Sequence, residues 1–216
     1  LDSSGNVKVK AAGDITVDGA GSITVTAVQT AITVDTINDV SNGGTLASTD
    51  AISTNGILIQ GGNASLITNT GLINLLETYT QTDTDSDGNL DGNLAIGTNR
   101  HGIFLQAGPT FTGNIVNSGT ISVEGNNSSG ITLNSLLTGD LTTSGVINVT
   151  GDNSYGVAIN GGITGDMLIS GGGTIRGENS VGVHVNGNVG GELSFSGAWN
   201  TLAYLSIVVP ADQGTL

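Results

Sequence analysis

Cysteine is absent, proline occurs only twice, and Lys and Arg together number 4 in 216 residues. Each shortage narrows what the chain can be. A chain without cysteine fits passage through an oxidising periplasm, where it stays unlinked in transit. Against 18 Asp and Glu, four basic residues leave a formal charge of −14, which argues against nucleic acid, an anionic membrane face or an acidic polymer as partner. Aromatic residues make up 3 %, so the core must be thin and repetitive, built from Val, Ile, Leu and Ala rather than from clustered rings. No run approaches the roughly 18–20 apolar residues of a membrane helix. The opening Leu1-Asp2-Ser3 lacks the basic segment and apolar stretch of a secretion signal, and the chain reads as an internal piece of something larger.

Glycine is abundant instead, at 36 residues, and β-branched residues alternate with polar ones throughout. That alternation is strand patterning and separates the chain from a disordered acidic segment. Self-comparison shows a repeat. Gly97-Thr98-Asn99-Arg100-His101-Gly102 recurs at Gly125–Gly130, Gly151–Gly156 and Gly177–Gly182, always as GxNxxG, with closing glycines 28, 26 and 26 residues apart. Each is followed by an alternating run: Ile103-Phe104-Leu105, Ile131-Thr132-Leu133, Val157-Ala158-Ile159 and Val183-His184-Val185.

A second signature (Thr112-Gly113-Asn114, Thr138-Gly139-Asp140, Thr164-Gly165-Asp166, Gly190-Gly191-Glu192) introduces Ile115, Leu141, Met167 and Leu193. A third run follows Ser118-Gly119, Ser144-Gly145 and Ser170-Gly171, with Ile121/Val123, Ile147/Val149 and then Ile175 alone, Gly173 standing at the other place. Earlier residues keep the grammar loosely, through an apolar-x-Asn-x-Gly-x-Ile/Leu pattern at Val40–Leu46, Ile67–Ile73 and Ile115–Ile121, and through Val7/Val9, Ile15/Val17, Ile23/Val25 and Ile32/Val34.

Three short strands in about 26 residues leave no room for a crossover helix. The expected fold is all-β: a right-handed parallel β-helix of three-strand coils, seven to eight in number, covering residues 1–197, with 198–216 a divergent end, cap or boundary. Stacking at ~4.8 Å aligns equivalent residues in columns, Ile103–Ile131–Val157–Val183 among them. The Asn of GxNxxG (Asn99, Asn127, Asn153, Asn179) is expected to form a hydrogen-bonded amide column, with flanking glycines supplying positive φ.

The closing Gly102 lies 46 residues after Gly56, so one coil carries an insertion at about 77–96. Within it, Asp83-Thr84-Asp85-Ser86-Asp87-Gly88-Asn89-Leu90-Asp91-Gly92 has the D-x-D-x-D-G-x-x-D form of a calcium loop, with alternate hard oxygen ligands and a glycine for the sharp turn. The expected Ca²⁺ ligands are the side chains of Asp83, Asp85 and Asp87, the Asn89 carbonyl, and Asp91 directly or through water, with Leu90 anchoring the loop. Position twelve is Leu94, so the bidentate Glu of an EF-hand is missing.

Catalytic patterns are thin. Lys8, Lys10, Arg100 and Arg176 are scattered, His101 and His184 read as lone exposed side chains, and no serine lies in G-x-S-x-G. Phe104 faces outward, while Trp199 and Tyr204 fall where the repeat ends, as capping or packing residues.

The chain resembles the passenger β-helix of large autotransporter (type V secreted) proteins of the sphingomonad and α-proteobacterial type. The resemblance rests on Gly21–Val25, Gly56–Gly62, Asn69-Thr70-Gly71, Glu77-Thr78-Tyr79-Thr80 with the Asp-rich loop after it, Gly97–Ile103 and the GxNSxGV coils, and it extends to about Gly197. It implies a secretion signal, sometimes a protease domain, and a C-terminal membrane barrel elsewhere in the parent protein, this segment meeting the membrane only through that barrel. The expected role is a non-enzymatic extracellular stalk or adhesin segment, able to self-associate through solenoid ends. A surface-layer or filament subunit is the alternative, with a β-helix carbohydrate-active enzyme behind it.

Overall fold

The computed structural model describes residues 39–202 apart from Asn89, and three earlier strands, Ile15–Val17, Ser22–Thr26 and Thr30–Val34, as backbone. Val7/Val9, Lys8, Lys10, Tyr204 and the stretch from 203 to 216 lie outside the described residues.

Among the described residues every named element is a strand, and the strands form three parallel sheets. The first sheet stacks Ile15–Val17, Val40–Asn42, Gly62–Asn69, Phe111–Asn117, Leu141–Thr143, Met167–Ile169 and Leu193–Phe195. Ser22–Thr26, Thr45–Thr49, Leu72–Leu76, Thr120–Glu124, Val146–Thr150, Gly173–Arg176 and Trp199–Leu202 form the second. The third comprises Thr30–Val34, Asn55–Ile59, His101–Leu105, Ser129–Leu133, Tyr155–Ile159 and Val181–Val185. The chain visits the sheets in rotation, which makes a β-solenoid of about six turns. That count covers the described residues, where residues 77–100 lengthen one coil without adding a rung. Trp199–Leu202 pairs in register with Gly173–Arg176, so the ladder continues past Gly197.

The inward columns follow the expected alternation. Ile57, Ile103, Ile131, Val157 and Val183 are register partners in the third sheet, and Val40, Ile67, Ile115, Leu141, Met167 and Leu193 in the first. Most are fully buried in one continuous core. In the second sheet the column Ile73, Ile121, Ile147 meets Gly173 and then Trp199. Ile73, Ile121 and Ile147 each place a methyl where a side chain at Gly56, Gly102 or Gly130 of the preceding coil would stand. Gly173 has no methyl to offer, and the Trp199 indole reaches back past it onto Gly156. A large ring two coils on thus fills the space a missing Ile leaves, because close packing tolerates no void of that size. At Gly102, Gly130 and Gly156 the closing glycine of GxNxxG is therefore required for space and not for φ.

The amide column forms elsewhere than expected. Asn99, Asn127, Asn153 and Asn179 have φ of 56°, 52°, 54° and 54°: they are the left-handed corner residues, a conformation Asn tolerates better than most. The ladder of buried amides is instead Asn42, Asn69 and Asn117. Asn42 Nδ2 donates to Asn69 Oδ1 at 2.7 Å, Asn69 Nδ2 to Asn117 Oδ1 at 2.7 Å, and Asn117 Nδ2 to Thr143 Oγ1 at 3.2 Å. All four residues are 0 % exposed, so each bond replaces hydration that has been lost entirely. Val17 and Ile169 hold the register positions beyond the two ends, and Asn42 Oδ1 has no partner among the described residues.

Replacing Asn69 by Ala strips partners from two buried amides, each loss costing about 1–3 kcal/mol. We expect Asn69→Ala to be destabilised by about 3 kcal/mol in guanidinium unfolding, with amide exchange fastest in the coils around 42, 69 and 117.

Candidate functional site

Corners between the second and third sheets are short, spanning 125–128 and 151–154 in later coils, but 77–100 in one. The insertion leaves and re-enters the solenoid at a neck closed by one side chain. The Glu77 carboxylate accepts from the amides of Ile96 at 2.9 Å and Gly97 at 2.7 Å and from Arg100 Nη1 at 3.3 Å, while the Glu77 amide donates to Glu124 Oε2 at 2.9 Å. Arg100 also donates through Nε to the Ala51 carbonyl at 2.6 Å and through Nη1 to that of Glu124. The Arg100 and Glu77 side chains are each 2 % exposed. A side chain at Gly97 would collide with the guanidinium, so that glycine makes room for the pair.

Arg100 was readable only as one of four scattered basic residues, yet the repeat held a signal. The equivalent corner positions carry Ser128, Ser154 and Ser180, each accepting an amide from the preceding coil: Arg100 N–Ser128 Oγ at 3.0 Å, Ser128 N–Ser154 Oγ at 3.1 Å, Ser154 N–Ser180 Oγ at 3.0 Å. Arg replaces Ser where the corner opens into the insertion. Beside the neck is a hollow of about 410 Å³ between Ile52, Tyr79 and Ile96.

Further out, Thr82 and Asp91 form an antiparallel bridge, with the Asp91 amide donating to the Thr82 carbonyl at 2.9 Å. The Asp-rich turn folds over this bridge. Gly88 N donates to Asp83 Oδ2 at 3.0 Å, Asp87 N to Asp85 Oδ1 at 3.1 Å, and Thr84 N and Oγ1 to Asp91 Oδ2 at 2.7 and 2.5 Å. Gly88 has φ of 91°, the sharp turn its position requires. Carboxylate oxygens of Asp83, Asp85 and Asp91 all lie within 4.8 Å of one another. Asp87 is exposed and falls outside that group, and Asn89 lies outside the described residues. Leu90 is 57 % exposed, so it does not anchor the turn; the bridge at Thr82 and Asp91 does.

The electrostatics within the trio differ. Hydrogen bonds from the Thr84 hydroxyl and amide hold Asp91 below the usual carboxylate range. The Asp87 amide pulls Asp85 down, but desolvation and the neighbouring charges of Asp87, Asp91 and Asp83 outweigh it and leave Asp85 raised. Three acceptor-only groups converging this closely are what a hard cation neutralises.

The histidines part company. His184 is exposed and tilted against Tyr155, with ring centroids 5.5 Å apart. His101 is half-buried, stacked on Phe104 at 4.5 Å, with Nδ1 2.7 Å from Ser129 Oγ. Burial lowers its pKa to about 4, so the ring is neutral at ordinary pH. The sequence placed it at a corner but could not show the ring folding onto its neighbour.

The chain matches no family model, and no curated protein or solved structure matches it.

Arg100→Ser restores the residue that later corners carry but strands the Glu77 carboxylate in the interior. Breaking a buried ion pair from one side costs about 3–5 kcal/mol. We expect the variant to lose stability on that scale and to be cut by protease first within 78–96, where limited proteolysis with mass spectrometry locates the site. A variant as stable and as resistant as the parent would show that the pair does not close the neck.

Proposed function

We propose that the chain is a non-enzymatic, rigid segment of an extracellular protein, a stalk or adhesin portion of a passenger of the autotransporter kind. The observation that carries this reading is the continuous parallel pairing of the three sheets through the described coils, with a register shift between Thr112 and Asn114 in the first sheet. A solenoid of about six turns at ~4.8 Å per turn is a rod of roughly 30 Å. Such a rod gives reach and lateral surface, and its stability adds coil by coil. The acidic surface and the absence of cysteine suit life outside the cell. Antibodies against residues 83–92, applied to intact and to permeabilised cells that make the protein, test this location. Labelling of intact cells is expected; labelling that requires permeabilisation would overturn it.

The acidic turn enters this reading as a calcium site of the parent protein. Asp83, Asp85 and Asp91 fit such an ion by the convergence of their oxygens, and the chemistry it supplies is neutralisation of their mutual repulsion. Without the twelfth-position Glu, affinity in the range of extracellular modules follows, roughly 10⁻⁴–10⁻³ M. Since Glu77 fixes both strands of the neck, the ion's effect stays local. Hydrogen exchange with 5 mM calcium or with chelator, the former chosen to exceed that range, should differ across 78–95, be unchanged from Gly102 onward, and lose its difference in Asp85→Asn. Identical protection across the loop would remove the metal from the proposal and leave the rod.

A further inference from the structure

The outward face of the third sheet contains a hollow of about 300 Å³ in the middle of the stack. Register alone fixes how it is built. Over four successive coils one outward column reads Phe104, Thr132, Ala158, His184, and the other His101, Ser129, Tyr155, Val181. Rings thus bracket small side chains. His101 stacked on Phe104 forms one wall, and Tyr155 tilted against His184 the other. The floor between them is Ser129, Thr132 and Ala158, which point away from the core yet are only 1 %, 6 % and 2 % exposed. A solenoid face is ordinarily flat; here the rings shelter its floor.

Polar groups edge the hollow in fixed orientations. Thr132 Oγ1 donates to Ser129 Oγ at 2.6 Å, and His101 Nδ1 sits 2.7 Å from the same oxygen. At the turn beyond the sheet, Asn160 Nδ2 donates to Asn134 Oδ1 at 2.8 Å. That bond orients the pair and leaves an amide donor on Asn134 and a carbonyl acceptor on Asn160. Asn127 and Asn153 close the opposite corner. Among the described residues no carboxylate, Lys or Arg lines the space, although the chain carries 18 acidic residues.

The geometry points to a binding site for a neutral saccharide unit on this face. Sugar rings present apolar C–H faces that pack on aromatic walls, and hydroxyls that need donors and acceptors already held in place. The hollow offers both, at the small end of the ligand-site range. A phosphate, sulfate or uronate would find no cation, and an ammonium ligand no carboxylate. Ser129 is enclosed and already bonded to two partners, so the site binds its ligand and does not attack it. The inference stands on the third sheet and is independent of the calcium turn and of where the protein resides.

The test uses the 216-residue chain and saturation-transfer NMR with methyl glycosides of glucose, galactose, mannose and N-acetylglucosamine, plus the methyl glycoside of galacturonic acid, its carboxylate free, as the anionic control. At least one neutral glycoside should receive saturation and bind saturably, with the uronate at least about tenfold weaker. Tyr155→Ala, which removes a wall, should weaken binding about tenfold, the upper range for an aromatic contact. Ala158→Trp, which fills the floor, should abolish it. Circular dichroism and the thermal midpoint report whether each variant keeps its coils, and if Ala158→Trp does not, Tyr155→Ala and Asn134→Ala decide. No saturation with any neutral glycoside, undiminished binding in the folded variants, or a preference for the uronate would each overturn the proposal.

Discussion

The need to give every corner amide an acceptor governs this molecule. Along the strands, parallel ladders satisfy the backbone automatically, but at each corner the chain turns and its N–H groups leave the ladder. A buried or half-buried amide without a partner costs a substantial fraction of a small domain's net stability. Here the side chain of one coil serves the backbone of its neighbour. Asn114 Oδ1 accepts from Asp140 N, Asp140 Oδ1 from Asp166 N, and Asp166 Oδ1 from Glu192 N, each at a separation of 26 residues. At another corner Asn126 accepts from Asp152 N, and Asp152 from Glu178 N. The period of the sequence is the period of this service, and a coil of different length at that corner would break it.

That constraint explains where an insertion can sit. Residues 77–100 interrupt a corner whose acceptors would otherwise come from the stack, so the interruption must supply its own. Glu77 does this for Ile96 and Gly97, while the preceding coil still serves Thr78 through Asp50, which accepts its amide at 2.8 Å and its hydroxyl at 2.9 Å. The Thr78 hydrogen bonds hold Asp50 below the ordinary carboxylate range. With the neck stitched in this way, the next strand enters at His101 in register with Asn55, as though no residues had intervened. The turn at Asp83–Asp91 can then vary without disturbing the rungs on either side.

What could be read from the residues follows the same logic. Inward columns were legible because alternation and period together determine which residues stack. The two Asn classes were harder, since recurrence does not reveal φ. Parity was the available signal: Asn42 stands two residues after Val40 and so shares its inward face, whereas Asn99 and its equivalents sit between glycines at a turn. The exchange of Ser for Arg100 was visible but not its meaning, because the carbonyls of Ala51 and Glu124 that hold the guanidinium come from other coils. Gly173 looked like an erosion of the repeat, and only the position of the Trp199 ring shows that the two departures compensate. In the Asp-rich turn, spacing brought out the convergence of Asp83, Asp85 and Asp91. It could not separate them from Asp87, which has the same spacing and falls outside the trio. The hollow on the third sheet has no linear motif, because its rings are three residues apart in one coil, as in His101 and Phe104, or lie in different coils, as in Tyr155 and His184.

The acidity of the chain takes on a different sense in this light. A net charge of −14 first reads as a statement about partners, but at least ten of the 18 carboxylates accept a backbone amide: Asp39, Asp50, Glu77, Asp83, Asp85, Asp91, Glu124, Asp140, Asp152 and Asp166. A carboxylate is an acceptor only and needs no donor satisfied in return, whereas an amide brings two N–H groups that must themselves be placed. At a solvated corner the carboxylate is the simpler solution, and its charge-assisted bond is the stronger one. Amides prevail in the buried ladder of Asn42, Asn69 and Asn117, where a charge could not be tolerated and each donor finds the next acceptor. Burial thus keeps Asp out of that ladder, while at the corners both Asn and Asp serve. The negative surface then follows from how the corners are built, and the unusual feature is the uncharged face of the third sheet, where no corner acceptor is needed and the side chains are free to meet something else.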